Sequence, residues 1–579
     1  MDFTLLKSRR ILGFACVFTC CLTVLLIVKM DRLKVSSHRQ QNVVRPKFTD
    51  LNVNRKDNST RGHTSRLSAD VPLMGPLADL HADLQVGTKV PKRDWMPSVD
   101  EGVNISETNA ANCRYHVLNN GTILKGDIVK IRIDSQDKYN QARFVGGDFW
   151  FAWLDSKKPD ASTAGKVIDY NNGTYLVLFL AAWTGPANIN IILVHPSDAT
   201  TFMKEVFWNT DDKLFWQAIY QSPHNPKATQ TVLCTIESPG IWENKCIYPR
   251  PIANGRTSFV CDKPPGLSCS SIAQFRAHNK MITDRTVKIL GDKKFLFEGR
   301  NYYQKISGNI NTLDIKDSSV TFNLERLPNC QPQTPIPIIK GYWMDNQWHS
   351  FYCRKYNCWT DPAKVAECLR DKEMHIMGDS NGRQYYNGLI PLLPAEPADV
   401  DIQKSGHMFR YIKTYNISMT FDFHPEGLGS HWLKFSEFHY EVDILDQLVN
   451  ADCNYIILVS TWAHFPQWTH KAIVERLWLL REAVDRLLQR CPGVPIVFKS
   501  PHPRSHPSFL SRLISSDFML DEIRKLLRKI FATRGVFYLD VWDMNLAYPV
   551  SNSIHMPSTV INHELFMILS YACNSICKN

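Results

Sequence analysis

The stretch Met374-His-Ile-Met-Gly-Asp-Ser380 runs from apolar residues into a glycine, an aspartate and a serine. Near the end of the chain, Asn552-Ser-Ile-His-Met-Pro557 carries a histidine. A serine on a strand-to-helix turn can attack an acyl carbon, and a histidine folded beside it can carry the proton. The two segments therefore predict an acyl-transfer site built from Ser380 and His555.

Around this stretch, apolar strand candidates alternate with amphipathic helix candidates. Strands are predicted at 373–377, 455–459, 495–499 and 536–539, and helices at 471–489 and 518–530. Strands separated by helices are typical of a parallel sheet with helices on both faces, where active sites lie at the carboxyl ends of the strands. We therefore expect residues 345–579 to form an α/β domain with Ser380 at the end of its first strand.

The preceding part of the chain has a different pattern. Residues 96–200 contain short alternating or apolar segments broken by turns, namely 127–134, 149–153, 167–170, 174–180 and 188–194. Several strands at this spacing predict an all-β, immunoglobulin-like sandwich. Residues 201–344 are rich in proline and cysteine, and we interpret them as a disulfide-tied extension that joins the two halves.

The N-terminus carries an uncharged stretch from Ile11 to Val28, preceded by Lys7, Arg9 and Arg10. Its length is close to the minimum for a transmembrane helix, and no small-residue cleavage site follows it. Residues 1–28 therefore predict an uncleaved signal anchor, giving a single-pass type II membrane protein with a luminal C-terminus. A short retained helix favours the Golgi. The alternative is secretion after signal cleavage.

Residues 29–95 are polar and show no sustained period, so they predict a flexible stem. The alternative, a small folded subdomain, has little apolar material to support it. Glycosylation sequons follow the predicted anchor at Asn58, Asn104, Asn120, Asn172 and Asn416. Such sites are used only if they reach the secretory lumen.

The chain has sixteen cysteines, and Cys16, Cys20 and Cys21 lie in or against the predicted helix. In an oxidising compartment most of the remaining thirteen should be paired. Because thirteen is odd, at least one is expected to be unpaired or used between chains. The spacing does not determine which cysteines bond to one another.

Charge and motif patterns exclude several classes of partner. The formal net charge of +11 is spread along the chain, and no zinc-finger spacing, basic aromatic face or glycine-rich phosphate loop is present. We therefore expect no nucleic-acid partner. His407, His424, His431 and His439 match no ligand template, so no metal site is predicted.

The residues around Ser380 predict the remaining parts of a site. At a helix N-terminus, the Ser380 N–H group and the Arg383 guanidinium could stabilise an oxyanion, while Gly378 and Asp379 form the turn. His464 follows a predicted strand. It either lines the pocket or is a buried histidine with a structural role.

Two sets of motifs resemble known families. Gly378-Asp-Ser-Asn-Gly-Arg-Gln384 resembles the glycine-aspartate-serine block of the PC-esterase group, which is related to the SGNH hydrolases. The segments 456–464 and 497–501 resemble that group's following blocks. Residues 167–194 resemble late strands of filamin-type repeats, and with the cysteine-bearing segment after them they are similar to neurexophilin. Together these segments resemble the neurexophilin and PC-esterase domain family.

This resemblance implies an SGNH-like C-terminal domain and assigns further roles. The family's Asp-x-x-His block is matched by Asn552-Ser-Ile-His555, which makes His555 the base and Asn552 its orienting group. An asparagine cannot stabilise an imidazolium as a carboxylate does. The reaction should therefore be slow unless Asp540 or Asp543 supplies the missing negative charge. An oxyanion asparagine is expected near Thr461, where Ser460, Thr461 and Trp462 offer only hydroxyls and an indole N–H. Thr461 is the candidate oxyanion or substrate contact there.

The resemblance also implies a reaction. We expect transfer or removal of an O-acetyl group on a glycan or glycoprotein, with acetyl-CoA or another acetyl donor as co-substrate and no bound cofactor. The alternative is a catalytically degenerate protein that binds a cell-surface partner through its neurexophilin-like domain. The missing aspartate and asparagine favour that alternative.

Overall fold

The computed structural model describes residues 106–577, apart from 238–242, 405, 428–431, 438, 534 and 550–552. The predicted signal anchor and stem, together with Asn58, Asn104 and Asn552, lie outside the described residues. Among the helices of the described segments, none combines the length and apolar character needed to span a bilayer.

The described residues form twenty-five strands. The first seven are β1 (Arg114–Val117), β2 (Ile128–Asp134), β3 (Phe149–Lys157), β4 (Asp160–Ala164), β5 (Lys166–Asp169), β6 (Thr174–Leu180) and β7 (Gly185–His195). The next eight are β8 (Leu214–Gln221), β9 (Thr229–Glu237), β10 (Lys245–Pro249), β11 (Ser258–Asp262), β12 (Ile272–Ile282), β13 (Gln304–Lys305), β14 (Ser307–Gly308) and β15 (Thr312–Ile315). The last ten are β16 (Gly341–Met344), β17 (Gln347–Ser350), β18 (Glu373–Gly378), β19 (Val400–Gln403), β20 (His407–Ile412), β21 (Ile417–Phe423), β22 (Leu433–Lys434), β23 (Tyr455–Ser460), β24 (Ile496–Lys499) and β25 (Phe537–Leu539).

Eleven α-helices accompany these strands in the described part of the chain. They are α1 (Ser197–Thr201), α2 (Pro251–Asn254), α3 (Asp284–Leu290), α4 (Pro362–Leu369), α5 (Ser380–Leu389), α6 (Glu441–Gln447), α7 (His470–Arg490), α8 (Phe509–Ile514), α9 (Asp517–Phe531), α10 (Trp542–Ala547) and α11 (Ser558–Ala572).

Two facing sheets form the N-terminal part. One has the order β14-β1-β2-β6-β5, and the other has the order β13-β7-β3-β4-β16-β17 with β15 also paired to β7. Strand alternation explains their shared core. In β2, Val129, Ile131 and Ile133 are fully buried, while Lys130 and Arg132 between them face outward.

A third sheet occupies most of the segment predicted as an extension. Its order is β10-β11-β9-β8-β12-β22, and all its pairings are antiparallel. The disulfides Cys234–Cys261 and Cys246–Cys269 bridge residues of this region. The last strand of this sheet, β22, comes from the C-terminal half of the chain.

The fourth sheet positions the candidate site. Its order is β19-β20-β21-β18-β23-β24-β25. The five strands from β21 to β25 in this order run parallel, and β19 and β20 are added antiparallel at one edge. Buried residues of α4, α5 and α11 pack on one face, and those of α6, α7 and α9 pack on the other. The central strand is β18, which ends at the Gly378 turn.

Helix α7 illustrates how the sequence produces these elements. The Thr469 side chain accepts a hydrogen bond from the Ala472 amide and caps its N-terminus. Ile473, Leu477 and Leu480 lie at helical spacing and are buried against the sheet. The predicted strands of both halves and the two predicted helices are confirmed as elements, with bounds that shift by a few residues.

The predicted fold class, however, is wrong as a description of the chain. Most strand pairings in the described residues are antiparallel and belong to four sheets. The predicted sandwich is not self-contained, because β16 and β17 from residues 341–350 complete one of its sheets through β4. The C-terminal sheet is mixed rather than wholly parallel, because β19 and β20 close its edge. Local hydrophobic periodicity identified strands but not their partners.

Six disulfides within the described residues confirm that most of the cysteines are paired. Besides the two in the third sheet, they are Cys330–Cys353, Cys358–Cys577, Cys368–Cys573 and Cys453–Cys491. Cys113 is the free cysteine among the described residues, and it is buried. Burial raises the pKa of its thiol to about 12, so this group is not a reactive thiolate.

Candidate active site

The turn that carries Ser380 depends on a close approach between two strands. Gly378 ends β18 with a φ of +154°, and a Cβ there would lie 2.3 Å from the Ser460 carbonyl oxygen of β23. Only glycine avoids that contact. The chain then enters α5 at Ser380, so the serine lies at the helix N-terminus and at the carboxyl end of the central strand.

Asp379 connects this turn to the loop after β23. Its Oδ1 accepts hydrogen bonds from the Asn381 backbone amide and side chain, both at 2.8 Å. Its Oδ2 accepts from the amides of Ala463 at 2.8 Å and Trp462 at 3.3 Å. The carboxylate is fully buried. Asp379 therefore caps α5 and fixes the neighbouring loop, and it donates nothing to an oxyanion.

The structure brings Ser380 and His555 together. The Ser380 Oγ lies 2.7 Å from the His555 Nε2, although the two residues are 175 positions apart in the chain. Ser380 is half-buried and His555 is exposed, so a substrate can reach both. This is the nucleophile-to-base contact that acyl transfer requires.

Charges around His555 favour its neutral form. Partial burial lowers the pKa of its imidazole below the usual value. The Asp379 charge opposes this effect, and the guanidinium groups of Arg383 and Arg504 lower the pKa further. A neutral imidazole can accept the Ser380 proton.

Two side chains hold the backbone on either side of His555. The Gln384 Nε2 donates to the Met556 carbonyl at 2.8 Å, and its Oε1 accepts from the Met556 amide at 3.2 Å. On the other side, the His502 Nε2 donates to the Ile554 carbonyl at 3.2 Å. These bonds fix the loop that presents the imidazole. The sequence offered only the position of Gln384 one turn after Ser380 as a signal for this role.

Lys499 fixes the tautomer of His502. The Lys499 ammonium donates to the His502 Nδ1 at 2.6 Å, which leaves the proton of the neutral ring on Nε2. The ammonium also lies 4.7 Å from the centre of the Trp462 ring. Burial lowers the pKa of Lys499 to about 8 and lowers that of His502 well below its usual value. Both residues lie where β24 ends, a position from which a site role could have been expected.

No residue of the described segments forms a hydrogen bond with the His555 Nδ1. Asn552, the predicted orienting residue, lies outside them. The two aspartates considered as replacements have other partners. Asp540 contacts Arg524 at 3.0 Å, and Asp543 contacts Lys340 at 2.9 Å.

Candidate oxyanion donors surround Ser380. The amides of Ser380 and Gly382 in the first turn of α5 have no acceptor within the part of the chain that the structure describes. The same holds for the Arg383 guanidinium. Thr461 differs, since its hydroxyl donates to the buried Glu441 carboxylate at 2.7 Å. The first turn of α5 is therefore the better-placed group of donors.

His464 belongs to a histidine pair beside Asp379. The His424 Nδ1 donates to the Pro425 carbonyl at 2.9 Å, so its Nε2 must accept the hydrogen bond from the His464 Nδ1 at 2.8 Å. Burial lowers the pKa of both imidazoles. Burial alone would raise the pKa of Asp379, but these two histidines and its hydrogen bonds hold it below the usual value.

A cavity of about 610 Å³ lies beside the His555 loop. Its walls include the aromatic side chains of Phe151, Trp153, Tyr302, Tyr303 and Tyr548, and also Arg504. Residues 503–507 line it, and they directly follow His502, which contacts Ile554. Neither Ser380 nor His555 is among its lining residues.

Sequons occupy three described positions. Asn120 and Asn416 are exposed, and Asn172 is half-buried. The Asn416 amide nitrogen donates to Asp371 at 2.9 Å, and Asn172 accepts from the Thr174 amide at 3.0 Å.

Comparison with protein families identifies both halves of the chain. Residues 94–289 match the neurexophilin family, and residues 348–573 match the C-terminal domain described as NXPE family member 4-like. The chain belongs to the neurexophilin and PC-esterase domain (NXPE) family. The NXPE-type C-terminal match contains Ser380, Gln384 and His555, so the whole candidate site lies within it.

Proposed function

We propose that this NXPE family protein transfers or removes an acyl group, specifically an acetyl group. The reaction would pass through an acyl-enzyme intermediate in which the group is esterified to Ser380. The observation that carries the proposal is the 2.7 Å contact between the Ser380 Oγ and the His555 Nε2 at the carboxyl end of a central parallel strand. The match of this region to the NXPE-type C-terminal domain supports the same class of chemistry.

In the first half-reaction, the Ser380 Oγ attacks the acyl carbonyl carbon and its proton passes to the His555 Nε2. The oxyanion that forms is stabilised by the free amides of Ser380 and Gly382 and by Arg383. When the tetrahedral intermediate collapses, the bond from the carbonyl carbon to the leaving group breaks. The leaving group takes the proton from His555, and the acyl group remains on Ser380 as an ester.

The second half-reaction determines the net outcome. Water or a sugar hydroxyl attacks the acyl carbon of the Ser380 ester while His555 takes its proton. The bond from the acyl carbon to the Ser380 Oγ then breaks, and His555 returns the proton to that oxygen. If water attacks, the protein is an esterase. If a sugar hydroxyl attacks, it is a transferase, with acetyl-CoA or another acetyl donor as co-substrate. We propose a glycan or glycoprotein as the acceptor.

This activity is proposed for a type II membrane protein anchored by residues 11–28, with its C-terminus in the Golgi lumen. A second candidate function is recognition of a cell-surface protein through the neurexophilin-type region. The neurexophilin match supports it, as does the lack of a carboxylate partner for His555 among the described residues.

Labelling of Ser380 separates the two candidates. The full-length chain would be incubated with a small activated acetyl ester and with acetyl-CoA, each with and without sugar acceptors. Acetyl release or transfer and acetylation of the Ser380 peptide would be followed by mass spectrometry. Wild type and the exposed-serine control Ser319→Ala should both react, and Ser380→Ala should not. Equal turnover by Ser380→Ala would refute the serine mechanism, and a folded but inert wild type would favour the binding protein.

A further inference from the structure

A cluster of two histidines and an aspartate lies at the antiparallel edge of the fourth sheet, apart from the Ser380 site. His407 on β20 and Asp422 on β21 are direct partners across the two strands, so their side chains share one face of the sheet. His439, two residues before α6, reaches the same carboxylate. Three separate segments of the chain thus converge at one point.

The geometry of this cluster resembles a set of metal ligands. The Asp422 Oδ1 lies 2.7 Å from the His407 Nδ1 and 3.0 Å from the His439 Nδ1. All three ligand atoms lie within 4.8 Å of one another. Ligands at about 2.0–2.2 Å from a shared Zn²⁺ lie up to about 4 Å apart, so small side-chain rotations would place all three around one ion.

The charge balance of the cluster also suits a cation. Asp422 is buried, and its ion-pair partners among the described residues are these two imidazoles, with no lysine or arginine. Its Oδ2 accepts no hydrogen bond from any residue in the described segments.

The exposure of the cluster permits an ion to enter. The His407 side chain is 29% exposed and that of His439 is 48% exposed. The two imidazoles are therefore accessible from solvent, while the Asp422 carboxylate that they share is buried.

We propose that His407, Asp422 and His439 bind one divalent transition-metal ion, with Zn²⁺ as the best match to two imidazoles and a carboxylate. The ion would tie β20 and β21 to the segment that leads into α6. Asp422 is aligned with Met377 of β18, which precedes the Gly378 turn. The ion would therefore stabilise the edge of the sheet that supports the candidate active site. The sequence spacing could not predict this site, because Asp422 joins the histidines only through strand pairing.

The test is direct Zn²⁺ binding to the full-length chain after removal of metals with a chelator. Isothermal titration with ZnCl₂ should show one ion per wild-type chain, and the thermal midpoint should rise on addition of Zn²⁺. His439→Ala and Asp422→Asn should weaken binding by more than about 100-fold, since even loss of an outer-shell partner costs about 10- to 100-fold. The exposed-histidine control His224→Ala should bind as wild type does.

Because Asp422 is buried, Asp422→Asn is informative only if circular dichroism shows that it folds. The half-exposed His439→Ala then decides the question alone. The proposal is overturned if the wild type shows no saturable Zn²⁺ binding, if it binds Mg²⁺ as tightly as Zn²⁺, or if His439→Ala retains the affinity and stoichiometry of the wild type.

Discussion

The Gln384 carboxamide is paired in both directions with the backbone of Met556, donating to its carbonyl and accepting from its amide. Gln384 lies one turn after Ser380 on α5, and Met556 directly follows His555. The Gln384 side chain therefore fixes the position of His555 relative to Ser380, although it takes no part in the reaction.

Replacing Gln384 by alanine should impair turnover more than folding. The His555 loop would lose two hydrogen bonds, and a misplacement of about 1 Å at a reacting group can cost about 100-fold in rate. We expect kcat to fall by about 10- to 100-fold, KM to change little, and stability to fall by about 1–2 kcal/mol. Ester hydrolysis and thermal unfolding measure these quantities. The exposed neighbour Asn387→Ala is the matched control, and an unchanged kcat in Gln384→Ala would contradict the positioning role.

Ser380 and His555 should behave as one unit when mutated. Single Ser380→Ala and His555→Ala variants should each lower kcat by about 10⁴-fold, and the double variant should be little worse than either. A double-mutant cycle on ester hydrolysis tests this expectation. Additive losses would mean that the two residues act independently.

Arg383 should affect the pH dependence of the reaction. Its charge contributes to lowering the pKa of His555, and the reaction requires the neutral imidazole. Activity should therefore rise as the pH increases through a His555 pKa below 6.5. Arg383→Gln should raise that pKa and move the acid limb of kcat/KM to higher pH, together with a loss of oxyanion stabilisation. A pH–rate profile with an unmoved acid limb would exclude electrostatic coupling between the two residues.

Thr461 should contribute to stability rather than catalysis. Its hydroxyl donates to Glu441, which also contacts the buried Arg476 at 3.1 Å. Thr461→Val removes one hydrogen bond to a buried charged group and should cost about 1.5–3 kcal/mol of unfolding free energy. Denaturant unfolding measures the loss, and kcat should stay close to that of the wild type. A large drop in kcat with unchanged stability would restore the oxyanion role predicted for this residue.

The Cys368–Cys573 disulfide should stabilise the domain that carries the site. It joins α4 to the residue that follows α11, and α11 is the helix that comes after His555. Replacing both cysteines by alanine should lower the free energy of unfolding by about 2–5 kcal/mol. Thermal and denaturant melts of the double variant check this value. An unchanged midpoint would mean that helix packing alone holds α11 in place.

The strands that could be predicted are those whose sequence is continuously apolar or alternates clearly. β23 and β24 are buried along their whole length, so their residues alone identify them. β20 and β21 were not predicted, although residues 417–423 of β21 alternate clearly between apolar and polar types. Pairing partners such as β4 with β16 depend on contacts far apart in the sequence, which local patterns do not encode.

In the candidate site, too, local sequence identified some residues but not the contacts between distant ones. Ser380 could be placed from the strand before it, and His555 from the resemblance of its block to a known family. The contacts by which Gln384 and His502 hold the His555 loop could not be predicted, because they span 172 and 52 residues. The chemistry of a residue can be read from its type, but its supporting contacts depend on the completed fold.

The placement of β16 in the sandwich bears on how the protein is made. During synthesis from the N-terminus, the free edge of β4 must wait until residues 343–344 are available to pair with it. Trp343 of β16 in turn donates to the Met544 carbonyl at 2.7 Å. The strand that covers the β4 edge therefore gains its own partner only when residues near the end of the chain are made. This edge of the sandwich is therefore completed late in translation, and a product truncated before β16 would expose an unpaired strand edge that favours aggregation.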